Sequence, residues 1–112
     1  MDFAQRAARN EEIFRGVNER IDDGAEQHGV TAPLPFHCEC GRTSCLATIE
    51  LPPDEYERVA QERYRFIVIP GHEDDTIETV VERYSEFVIV EKQGEAREQI
   101  DKDHPQPQHR DN

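Results

Sequence analysis

The stretch FHCECGRTSC, Phe36 to Cys45, gathers all three cysteines of a 112-residue chain into eight positions. The chain around it is highly charged: 34% of the residues are Asp, Glu, Lys or Arg, only 35% are hydrophobic, and there is no Trp. A core drawn from so few apolar residues gains from a covalent or metal staple. Three cysteines cannot all pair within one chain, and a reducing cytosol keeps them as thiols, so a metal is a stronger reading than a disulfide framework. Side chains alternate along extended backbone, which puts Cys38 and Cys40 on one side, and Gly41 then permits the turn that returns Cys45. Thiolates select Zn²⁺ or an iron–sulfur cluster over hard cations. A structural zinc takes four tetrahedral ligands, so a fourth must come from elsewhere in the chain.

Two histidines compete for that place. His72, in PGHEDD, follows a Pro-Gly turn where a rigid backbone can aim an imidazole, and it is preferred. His37 neighbours Cys38 and would face the other way in a strand. The second ring nitrogen of the ligating histidine needs an acceptor, for which Glu73 or Glu39 stands near enough in sequence. The plainer reading treats the three cysteines as small core residues. Against it stand the shared face of Cys38 and Cys40, the polar Glu39, Arg42 and Ser44 between the thiols, and the lack of apolar periodicity.

Outward from this stretch the chain reads as an α+β fold. Ala4 to Gln27 are helix formers, with Phe14, Val17 and Ile21 at helical spacing and Ala7 and Asn10 extending the stripe. That stripe is expected to dock on the core, leaving an Arg- and Glu-rich solvated face. The sequence His28-Gly29 marks the end, and Pro33 and Pro35 make the connection extended. Phe36–Cys40 and Cys45–Leu51 read as two strands around GRTS. In PPDEYERVAQER, Pro53 suits the first helical position and Asp54 and Glu55 the positive first turn, giving one short helix. Phe66–Ile69 is a strand stopped by Pro70-Gly71. The segment from Thr76 to Val90 fits a helix in part, but its β-branched content favours a hairpin turning near Tyr84–Glu86. A small antiparallel sheet with one short helix, behind an N-terminal amphipathic helix and stapled by a metal site, is the expected domain over residues 1–92. Residues 93–112 carry so few apolar side chains that a disordered polar tail, with solvated His104 and His109, is expected there.

The balance of 25 acidic against 13 basic residues gives a net charge of −12. Nucleic-acid binding needs a basic face, and the arginines here are scattered single positions such as Arg6, Arg9 and Arg15, so that class is disfavoured. MDFAQRAARNEE has no apolar signal core and no segment has the apolar run of a membrane span, so a cytoplasmic protein is expected.

RNEEIFRGVNERI, FHCECGRTSC, LPPDEYERV, RFIVIPGHE and VVERYSEFVIVEK, taken in order, resemble a group of small bacterial proteins, common among actinobacteria, that has no established function. The resemblance spans Ala4 to Lys92. The group's three cysteines and its Pro-Gly-His histidine fall here on Cys38, Cys40, Cys45 and His72, while the chain departs from the group at Ser44 and at Pro52-Pro53. A looser similarity links the C-x-C opening and one histidine to CDGSH-type iron–sulfur domains, which hold a [2Fe–2S] cluster with three Cys and one His. Their last cysteine and histidine share one short motif, whereas His72 lies far from Cys45, which makes the cluster the lesser alternative.

These observations lead to a small module with a zinc site of three cysteines and one histidine that binds a protein partner or regulates one. Two alternatives stay open. One is a [2Fe–2S] redox protein. The other is a thiol-based redox sensor or an enzyme, in which Glu73 would act as a base beside an open metal position. PGHE lacks the helical H-E-x-x-H spacing that would strengthen the latter.

Overall fold

A computed structural model describes residues 3–42 and 44–103, with side chains from Asn10 onward. The Ala7 side chain, Thr43 of the GRTS turn and the tail histidines lie outside the described residues. The fold is α+β, as the sequence leads one to expect. Helix α1 (Phe3–His28) runs ahead of strands β1 (Leu34–His37) and β2 (Thr48–Leu51), helix α2 (Pro53–Ala60), strands β3 (Arg65–Val68), β4 (Glu78–Arg83) and β5 (Val88–Lys92), and helix α3 (Glu95–Asp103). Strands β1 and β2 form an antiparallel pair, and β3-β5-β4 form an antiparallel sheet with β5 in the centre.

Helix α1 stops where the glycine permits. Gly29 takes φ +67°, its N–H bonds to the Glu26 carbonyl at 3.3 Å, and the Val30 N–H reaches back to Ala25 at 2.9 Å. That pair of bonds satisfies the last carbonyls in the Schellman manner. The face α1 turns inward differs from the expected stripe. Val17 is 39% exposed and Ile13 55%, whereas Glu11, Arg15, Asn18 and Ala25 are buried, with Phe14 and Ile21 at the margin. Each inward polar group has a partner that hydropathy cannot foretell. Arg15 donates to the carbonyls of Arg63 and Arg65 and lies 4.1 Å over the Phe66 ring. Glu11 pairs with Lys92, which also pairs with Glu78, and all three are nearly inaccessible.

The hairpin from Glu78 to Lys92 forms as expected and not as a helix, closed by Tyr84 N–H to Phe87 O at 2.9 Å, with a bulge at Val81. Phe36 stacks on Tyr56 at 4.6 Å, and both belong with Ile49, Leu51, Val59, Phe66–Val68 and Phe87–Val90 to the core. Two expectations need correction. The cysteines do not sit on strands: β1 ends at His37 and β2 begins at Thr48, so all three lie in the connection between them. And the tail does not start at residue 93, because Ala96 and Ile100 are buried along one side of α3, which packs against α1. Two apolar side chains at i and i+4, helped by Tyr64 and Arg63 bonding Asp101, suffice where composition alone points to disorder.

Candidate metal centre

The connection carrying the cysteines is stitched to its surroundings residue by residue. The Cys38 N–H continues the β1–β2 ladder to Ala47 O at 3.0 Å, and the next amide, on Glu39, crosses to Ile67 O of β3 at 2.8 Å. One residue pair therefore joins the two sheets. Beyond β3, the His72 N–H closes a turn onto Ile69 O at 2.9 Å, with Pro70 and Gly71 at its centre. Gly71 has φ +95°, the left-handed position that a Pro-Gly turn of this type reserves for glycine. The turn carries His72 back over the thiols.

His72 Nδ1 lies 3.7 Å from Cys38 Sγ and 3.6 Å from Cys45 Sγ. The donor atoms of Cys38, Cys40, Cys45 and His72 all fall within 4.8 Å of one another, a group able to hold a metal ion. The cysteines are buried and His72 is half-buried. All three thiols are free of disulfides. A further donor, the Ile69 N–H, points at Cys38 Sγ from 3.2 Å, as main-chain amides do toward thiolate sulfur. The interaction of the Cys38 and Cys40 thiols, followed by burial, raises the Cys38 pKa, and the same interaction lowers that of Cys40. The pair thus releases a first proton readily and holds the second, which a cation would displace.

His37 takes no part. Its Nδ1 faces the Cys38 carbonyl and its ring stacks on Phe14 at 4.2 Å. Neither expected acceptor bonds the His72 ring. Glu73 turns back onto the main chain, and the bonds from its own N–H and then from the Gly71 N–H, the latter at 2.8 Å, hold its carboxyl below the usual range. Glu39, between two cysteines, points the other way, because alternation that puts both sulfurs in front sends the middle residue behind. It is wholly buried, and its oxygens accept from Ile67 N at 3.0 Å, Asn18 Nδ2 at 2.9 Å and Tyr56 Oη at 2.7 Å. Burial raises its pKa against the pull of Arg15 and these donors. Asn18 and Tyr56 went unrecognised in the sequence as parts of this arrangement, since neither has a spacing relation to the cysteines. No helix among the described residues is long and apolar enough to cross a membrane. Comparison of the chain with known protein families, with curated proteins and with solved structures finds no match.

Proposed function

We propose that Cys38, Cys40, Cys45 and His72 hold one Zn²⁺ ion as a structural staple, and that the domain acts by binding a protein partner rather than by catalysis. The observation that carries the reading is the convergence of four soft donors from two separate segments to within 4.8 Å. Tetrahedral zinc with Zn–S about 2.3 Å and Zn–N about 2.0 Å separates its sulfur and nitrogen ligands by about 3.6 Å. The two sulfur-to-His72 distances, 3.6 and 3.7 Å, agree with that edge. A two-iron cluster divides its terminal ligands between two metals and asks for a wider donor set. Four protein ligands leave no position open for a substrate, so the ion's contribution is to neutralise the thiolates and tie the Cys38–Cys45 connection to the turn after β3. The acidic surface, at net charge −12, favours a partner with a basic face.

Elemental analysis and a visible spectrum of protein purified without added metal or chelator test this. The reading predicts about one zinc per chain, no colour, and a melting temperature that falls by at least about 10 °C in chelator, as a loss of a few kcal/mol would produce. Iron with visible absorbance would replace it with redox chemistry, and a metal-free protein that takes up no zinc would end it.

A further inference from the structure

We infer that Glu39 and Asn18 couple the metal centre to α1, so that filling the site and docking the helix strengthen each other; the inference rests on the metal reading above. The Cys38–Cys40 segment has two faces. Its front carries the sulfurs. Its back is the Glu39 carboxylate, fully buried and bound by a main-chain amide of β3, the hydroxyl of Tyr56 on α2 and the amide of Asn18 on α1.

Asn18 is 0% exposed, and its whole side-chain amide is spent on this segment. Nδ2 donates to His37 O at 2.8 Å as well as to Glu39, and Oδ1 accepts the His37 N–H at 2.7 Å. The midpoint of α1 is thus held by bonds that exist only while residues 37–39 keep this path. A shift of the segment would strand a buried carboxylate and a buried amide together, a larger penalty than losing either bond in water. Among its described residues the connection from Cys38 to Ala47 has no helix or strand of its own, so a bound ion is what would fix its path from the front. What fixes the path also fixes α1, and coupling between two such events is reciprocal by linkage.

The test is a competition titration with zinc on full-length chains, paired with hydrogen exchange. Asn18→Ala touches no metal ligand, yet it is expected to bind zinc about 10-fold more weakly, within the usual range of coupling between sites. Ile13→Ala, on the outward side of the same helix, is expected to bind as the parent does. If Asn18→Ala fails to fold, Tyr56→Phe removes a single donor to Glu39, keeps the ring on Phe36, and predicts weakening of about 3-fold. In the parent chain, stripping zinc is expected to lose protection of α1 amides from Arg15 to Ala25 while the central strand β5 keeps its own. Parent-like zinc affinity in the folded Asn18 or Tyr56 variant would overturn the coupling, as would α1 and β5 losing protection together. In either case the metal reading would survive, because zinc still binds. A parent chain that binds no zinc would overturn both.

Discussion

The Cys38–Cys40–Cys45–His72 cluster and the Glu11–Lys92–Glu78 group both bury ionisable side chains, but only the second brings its own cation. Lys92 Nζ lies between the two carboxylates and 5.3 Å over the Phe66 ring, joining α1, β4 and β5. On the reading proposed above, the thiols take their cation from solution as a metal ion. One centre should therefore answer to metal supply and the other to pH, and substitutions can separate the two.

The largest effect expected is from Lys92→Met. It leaves two carboxylates of 3% and 2% side-chain exposure without a cation. Removing one partner of a buried pair costs about 3–5 kcal/mol. Urea unfolding near neutral pH should show that loss with zinc or chelator alike, and acid should restore part of it as the carboxylates protonate. His72→Ala comes next. Removing one of four ligands shares out an apparent structural zinc affinity of about 10–16 kcal/mol, so binding should weaken by about 100-fold or more. The accompanying drop in melting temperature should vanish in chelator, where variant and parent are both without metal.

Glu11 gives the pH dependence its sign. Burial raises its pKa from 4.5 to about 7 against the pull of Lys92, so the folded chain holds this proton more tightly than the unfolded one. The resulting stabilisation is complete below pH 4.5 and is lost as pH rises toward 7, an effect of about 3 kcal/mol at the conversion of 1.4 kcal/mol per tenfold. Glu11→Gln should remove that slope, so that between pH 4.5 and 8 the variant loses less stability than the parent. Measuring both in chelator keeps metal binding out of the comparison. A slope unchanged in the variant would show that Glu11 does not titrate there. Smallest is Arg58→Ala. Arg58 bonds Glu55 at 2.8 Å and Glu82 at 3.2 Å on the surface, and such pairs contribute less than about 1 kcal/mol.

The contrast between the two centres also separates what was legible in the sequence from what was not. Residue type and local crowding announced the cysteines, and Pro70-Gly71 marked the turn that carries His72. The hairpin between Glu78 and Lys92 followed from β-branched residues, and the end of α1 from Gly29. Polar residues that act as core were hidden. Glu11, Arg15 and Asn18 occupy the inward face of α1 because partners distant in sequence satisfy them, and a hydropathy stripe assigns that face to Val17 instead. Lys92 did leave one trace: it stands two residues after Val90, on the same side of the strand as Val88 and Val90, where an apolar residue would be expected. Adjacency to Cys38 and Cys40 suggests Glu39 as an acceptor for the ligating histidine, but alternation in extended backbone sends its side chain to the opposite face from the sulfurs.

X-ray absorption at the metal edge of the protein as purified tests the central claim most directly, because it counts the atoms around the ion. A single zinc with three sulfurs at about 2.3 Å and one nitrogen at about 2.0 Å is the predicted result. An iron edge with a second metal nearby, or a zinc shell of oxygen and nitrogen without three sulfurs, would contradict it.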